Sequence, residues 1–222
     1  MVRTESISLQ VSPNIGSVTA ECIIPEKGKC VMTLAHGAGA GMNHSFMISL
    51  ARSLAGEGIV TLRFNFPFAE YKKGRPDPPA VAHKAVESAI QKANQLFPKL
   101  PVFAAGKSFG GRMSSQYLAL HPDSSVRGII FYGFPLHPSG KPSIERAEHL
   151  KEIKIPMLFL QGSNDALAAW DLIESVCASL RHATLVRLEG VDHSFKAGKV
   201  DVMQILVAET NTWIEKIMQK AT

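Results

Sequence analysis

The stretch from Pro101 to Leu120 leaves the backbone few paths. An apolar run, Pro101-Val102-Phe103-Ala104-Ala105, stops at Gly106-Lys107-Ser108-Phe109-Gly110-Gly111, and helical spacing begins at once from Phe109 to Leu120. A strand that turns so sharply into a helix forces the residue at the apex into a strained conformation, and its neighbours have no room for side chains. The G-x-S-x-G spacing supplies the missing room and leaves a serine hydroxyl at a helix N-terminus, where N–H groups and the helix dipole favour negative charge. Gly106-Lys107-Ser108 also matches the end of a phosphate-binding loop. That motif, G-x-x-x-x-G-K-[ST], needs glycine at position 101, where this chain has Pro101.

The same alternation runs through the chain. Strands are expected at Ser6–Gln10, Ser17–Ile24, Cys30–Ala35, Ile59–Phe64, Pro101–Ala105, Gly128–Tyr132, Pro156–Leu160 and Ala183–Leu188. Helices are expected at Ser45–Ala55, Val81–Phe97, Phe109–Leu120, Ala168–Leu180 and Val202–Met218, with a shorter one at Ile144–Leu150. Strands that are apolar throughout and separated by helices imply right-handed crossovers and a mostly parallel sheet covered on both faces. The opening pair adds an antiparallel edge. No linker, repeat or low-complexity tract divides the 222 residues, so one α/β domain over 1–222 is expected.

Composition narrows the function classes. The net charge of +5 comes from cations that are not interleaved with aromatics, so a nucleic-acid surface is not expected. Tyr71-Lys72-Lys73-Gly74-Arg75 and Lys151-Glu152-Ile153-Lys154 read as solvated loop or helix ends. Cys22, Cys30 and Cys177 have neither a CxxC pair nor metal-ligand spacing, and are expected to be buried thiols without disulfide, metal or cofactor. Met1 to Ser6 runs straight into a strand pattern and no apolar run is long enough to span a bilayer, so a cytoplasmic location without membrane contact is expected.

A serine hydroxyl needs a base, and the base a third group to orient it. On a strand-turn-helix nucleophile the partners follow in the order serine, acid, histidine, each just after a strand. Asp165 follows the strand Pro156–Leu160, and His193 follows Ala183–Leu188. Asp192 competes as the acid, but Asp165 holds the expected loop. It also has the reading of a turn or helix cap. His36-Gly37-Ala38-Gly39-Ala40-Gly41, after the third strand, suits backbone donors to an oxyanion, assigned to the amides of Ala38 and Phe109.

With these residues in place the chain resembles the α/β-hydrolase superfamily over nearly its whole length. Within it, the chain is similar to a small group sharing HGA-x-x-x-M-N, G-[KR]-S-x-G and P-L-H-P, here His36–Asn43, Gly106–Gly110 and Pro135–Pro138. That group includes a vertebrate testis-expressed protein, a subunit of a histone acetyltransferase complex, and bacterial proteins described as predicted or dienelactone-hydrolase-like hydrolases. The resemblance implies an α/β-hydrolase fold of about eight strands and carries the nucleophile, acid and base onto Ser108, Asp165 and His193. A dienelactone hydrolase proper uses cysteine where this chain has serine.

The expected activity is acyl transfer to water from a small ester or thioester. The alternatives are a scaffold or binding protein that keeps the fold, and a small peptidase or amidase. His36, Gly37, Lys107, Phe66, Pro135 and His137 are the expected substrate contacts. The prolines of Phe66-Pro67-Phe68 and Phe134-Pro135-Leu136-His137-Pro138 have a second reading as loop stiffeners. The Phe134–Ile155 connection is too short for a cap domain, so little or no cap is expected. The partner implied is a small acyl substrate, and a protein partner stays open.

Overall fold

The computed structural model describes residues 2–198 and 200–219. Its eight strands are β1 (Arg3–Ser12), β2 (Gly16–Ile24), β3 (Cys30–Ala35), β4 (Ile59–Phe64), β5 (Val102–Lys107), β6 (Val126–Tyr132), β7 (Met157–Gly162) and β8 (Ala183–Leu188). They form one sheet in the order β1-β2-β4-β3-β5-β6-β7-β8. β2 pairs antiparallel with both β1 and β4, and every other pairing is parallel. This is an α/β-hydrolase fold, a mostly parallel sheet with helices on both faces.

The period-two alternation of the strands divides the core in two. Met32 and Leu34 of β3, Ile130 and Tyr132 of β6, and Leu158 and Leu160 of β7 pack on α1 (Ser45–Gly56) and α6 (Val202–Gln219). Their alternate neighbours, among them Val31, Ile129, Phe131 and Phe159, pack on α3 (Pro79–Leu96), α4 (Phe109–Leu120) and α5 (Trp170–Ser179). Every residue of β3, β4 and β7 is buried, as strands covered on both faces require. Gly128 in β6 lets the indole of Trp213 lie against the sheet, since a Cβ there would meet Trp213 Cη2 at 2.7 Å. Cys22 and Cys30 are free and fall in opposite core layers, which keeps them from pairing. Among the described residues no helix is long and apolar enough to cross a membrane.

Element ends differ from expectation where a partner, rather than composition, decides them. β1 runs to both ends of its ladder with β2, from Arg3 opposite Ile24 to Ser12 opposite Gly16, although most of its residues outside Ser6–Gln10 are polar. α3 starts at Pro79, whose missing N–H costs nothing in the first turn. α5 starts at Trp170 instead of Ala168, the carbonyl of Leu167 being taken by His137 N (2.9 Å) and so not free to open a helix there. The short helix near Ile144 is a 3-10 helix, Glu145–Glu152, and a single turn, α2 (Pro67–Glu70), follows β4.

Candidate active site

Ser108 sits between β5 and α4 with φ 50° and ψ −116°, a region costly for any residue with a Cβ. Two glycines make the turn sterically possible. A Cβ on Gly106 would fall onto Gly111 N, and one on Gly110 would lie 2.5 Å from Ala35 O and 2.6 Å from His36 O. Ser108 N donates to Tyr132 O at the end of β6 (3.2 Å), tying the apex to the neighbouring strand.

The loops after β7 and β8 are closed against each other. Ser163 N donates to Leu188 O (2.9 Å) and Asn164 N to Val191 O (3.0 Å). A Cβ on Gly162 would collide with Val191 O, so the approach depends on that glycine. The result is a continuous chain of hydrogen bonds. His193 Nε2 lies 2.8 Å from Ser108 Oγ, and His193 Nδ1 lies 2.7 Å from Asp165 Oδ2. With Nδ1 protonated and donating to the carboxylate, Nε2 is free to accept from the hydroxyl. The Asp165 side chain is 1% exposed and that of His193 24%, so the carboxylate is dry and the imidazole borders the cleft.

A buried carboxylate has to be hydrogen-bonded. Gln161 Nε2 donates to Asp165 Oδ2 (2.7 Å) and Leu167 N to Asp165 Oδ1 (2.8 Å). Gln161 Oε1 in turn accepts from Phe134 N (2.8 Å), so one buried amide links the acid to the loop after β6. The sequence reading passed over Gln161. A polar residue near the end of an otherwise apolar strand was the signal available. Asp192 takes no part in the chain to Ser108. Its Oδ1 accepts from Ser194 N (2.8 Å) and Lys196 N (2.9 Å), closing the turn that carries His193.

Lys107 lies beneath that turn. Its Nζ donates to His193 O (2.6 Å) and sits 4.8 Å from the centre of the Phe195 ring. Burial pushes the ammonium down to about 8, against the opposing pull of the Asp165 and Asp192 charges.

A cleft of about 390 Å³ opens over Ser108, walled by Gly37, Ala38, Phe46, Met47, Lys107 and His193 among others. A second, of about 320 Å³, meets it at Ala38, Ser108 and Leu167 and includes Phe109 and Pro135. Ala38 and Phe109 thus flank the serine. Phe109 is the first residue of α4, so its N–H has no partner within the helix.

Gly37 and Lys107 line the first cleft and Pro135 the second, whereas His36, Phe66 and His137 lie elsewhere. His36 is fully buried. Its Nδ1 is 2.8 Å from Gly37 O and its Nε2 accepts from Phe66 N (3.0 Å), so both nitrogens serve the backbone. Burial pushes its pKa down to about 4, against the bond to Gly37, which holds it up. Phe66 is buried with it, packed edge-on against His36, Phe64 and Phe109. His137 is buried too, with Nδ1 at 2.9 Å from Pro138 O and Nε2 accepting from Ala169 N (2.9 Å). These three shape the walls from behind. No group of three or more His, Cys, Asp or Glu is placed to hold a metal ion among the described residues.

A family model described as an alpha/beta hydrolase domain matches residues 28–220. Solved structures share the fold at low identity. A dienelactone hydrolase from Anabaena variabilis is 19% identical, with 97% of this chain and 98% of that one covered at a TM-score of 0.76. An alpha-beta serine hydrolase homologue from Coxiella burnetii is 21% identical over 92% and 96%, at 0.77. A protein from Xanthomonas campestris, described as an a/b serine hydrolase without lid, is 18% identical over 98% and 94%, at 0.72.

Proposed function

The chain belongs to the alpha/beta hydrolase domain family, and from that premise we propose that it is a serine hydrolase transferring the acyl group of a small ester or thioester to water. The observation that carries this is the unbroken relay from Ser108 through His193 to Asp165, at 2.8 and 2.7 Å. A scaffold has no physical need for a strained serine, an oriented imidazole and a dry carboxylate aligned in one line.

In the first half-reaction Ser108 Oγ attacks the acyl carbon while its proton passes to His193 Nε2. The amides of Ala38 and Phe109 hold the oxyanion, and Asp165 stabilises the imidazolium. The carbon–heteroatom bond then breaks, and His193 gives its proton to the leaving alcohol or thiol. Water repeats the sequence on the acyl-enzyme, releasing the acid and restoring Ser108. The Phe134–Ile155 connection carries the 3-10 helix Glu145–Glu152, and the two clefts, of about 390 and 320 Å³, suit short acyl groups.

Intact mass after exposure to a fluorophosphonate tests the reading. One adduct is expected on the wild type and none on Ser108→Ala, with ester turnover lost in the same variant. Absence of an adduct on folded wild type, or full turnover by Ser108→Ala, overturns it.

A further inference from the structure

The two clefts that meet at Ser108 carry different charged side chains, Lys107 in the first and Arg112, Arg146 and Asp77 in the second. His193 lines the first cleft and must protonate the leaving group, so the leaving group belongs there and the acyl chain belongs in the other. That second cleft is bounded by Met113, Pro135 and Leu167 and carries three charged side chains, Arg112, Arg146 and Asp77.

The two arginines come from different elements. Arg112 is one turn beyond Ser108 on α4, hence on the same helix face, and Arg146 projects from the 3-10 helix. Neither guanidinium has a carboxylate within ion-pair distance among the described residues. Asp77, the one acid on this wall, is already held: its Oδ2 accepts from Phe68 N (2.7 Å) and its Oδ1 lies 3.6 Å from Lys73 Nζ. Among the described residues, Arg112 Nε is buried with no hydrogen-bond partner, and Arg146 makes only a long bond, Nη1 to Pro135 O at 3.4 Å. Burial and the neighbouring Arg146 charge both push the Arg112 pKa down, so the pair is placed against its own electrostatic preference. His149, packed nearby against Ser115, is likewise pushed down to about 4 by burial and then by Arg112, so it adds no positive charge at neutral pH.

Two like charges side by side at the mouth of a cleft, with good donors unused, are the arrangement that binds an anion. Asp77 spends its carboxylate on Lys73 and Phe68 N, so the two guanidiniums are the charges left facing the cleft, and their planar forks match the two oxygens of a carboxylate. We propose, resting on the acyl-transfer reading above, that Arg112 and Arg146 form a subsite for the far end of an acyl chain that terminates in a carboxylate. The substrate class is then the half-esters or half-thioesters of short dicarboxylic acids.

Two esters of matched length test this, the half-ester monophenyl adipate and neutral phenyl hexanoate, with kcat/KM measured from phenol release. The wild type is expected to favour the half-ester at least tenfold, and Arg146→Met to lower that ratio at least tenfold. Lys99→Met, which removes a distant surface charge, is expected to leave the ratio as it is, separating a local subsite from the net charge of +5. A second arm needs no turnover: calorimetry is expected to show adipate binding to Ser108→Ala and not to the Ser108→Ala, Arg146→Met double variant. Equal use of both esters by the wild type, or equal loss of both in Arg146→Met, overturns the subsite and leaves the hydrolase reading in place. Arg146-dependent adipate binding with neither ester turned over keeps the subsite and overturns the acyl-transfer reading.

Discussion

Acid should weaken this protein through His36, a buried ring that takes no part in the chain from Ser108 to Asp165. The ring is fully buried, and its neutral form satisfies two backbone groups, Gly37 O and Phe66 N. Its folded pKa of about 4 lies below the ordinary value of 6.5, so between those values the unfolded chain binds the proton and the folded one does not. The neutral ring therefore stabilises the fold fully above about pH 6.5, and that contribution drains away as pH falls toward 4. At pH 5 the unfolded imidazole is almost wholly protonated and the folded one about a tenth so. Integration from pH 8 gives a loss of about 2 kcal/mol, rising to about 3 kcal/mol by pH 4. His149 shifts in the same direction, so the assay must be a difference. Urea unfolding of the wild type and of His36→Asn at pH 8 and pH 5 supplies it. The asparagine keeps a donor for Gly37 and removes the titration. The wild type is expected to lose about 2 kcal/mol more than the variant over that interval. An equal loss in both proteins refutes the reasoning, as does an NMR titration placing His36 near 6.5 in folded wild type, which holds even if the variant folds poorly.

Other expectations follow from the same contacts. Gln161→Leu strips a donor from Asp165 and an acceptor from Phe134 N, and should cost about 1–3 kcal/mol in denaturant unfolding. It should also lower kcat more than it raises KM, since the misplaced part is the acid and not the substrate cleft. Lys107 has its pKa lowered, so the unfolded chain holds its proton at pH values where the folded chain has lost it. Relative to Lys107→Met, the wild type should gain stability as pH rises from about 8 toward 10.5, read as the difference in unfolding midpoints. Gly162→Ala places a methyl group onto Val191 O and should part the loops that carry Asp165 and His193. Fluorophosphonate labelling of that variant should slow by a factor of ten or more at temperatures where circular dichroism still shows it folded.

The sequence exposed those features that backbone sterics leave no choice about. Gly106 and Gly110 are glycines because a Cβ would strike Gly111 N or Ala35 O, and such a demand is visible as a motif without any knowledge of the fold. The alternation of apolar strands with helices was legible for a related reason, since a strand buried on both faces cannot carry polar side chains. What stayed hidden depended on what lies opposite. Asp165 and Asp192 are the same residue type in loops of similar composition. The order of strands and loops favours Asp165, but what brings its loop onto the imidazole, the contact of Gly162 with Val191, is a matter of packing. His36 and His137 are expected as substrate contacts from the loops that carry them, yet both spend their nitrogens on backbone groups.

That division bears on where substrate choice resides. The strained serine, its glycines and the loops that bring Asp165 and His193 together are requirements of the turn and the sheet, so under the proposed reading they concern the chemistry and say little about the acyl group. The groups free to differ are those that no backbone constraint dictates. Arg112 need only continue a helix, and Arg146 need only occupy a 3-10 turn, so neither has a structural reason to be cationic. Placing both at one cleft sets burial and the Arg146 charge against Arg112, with no carboxylate partner to offset them among the described residues. A charge pair that destabilises the empty protein is accounted for by an anion that arrives with the substrate. On that argument stability and selectivity should move in opposite directions: Arg146→Met should raise the unfolding midpoint of the free protein while reducing its preference for a carboxylate-bearing ester. A variant that loses both together would show that the arginine holds the fold and not the substrate.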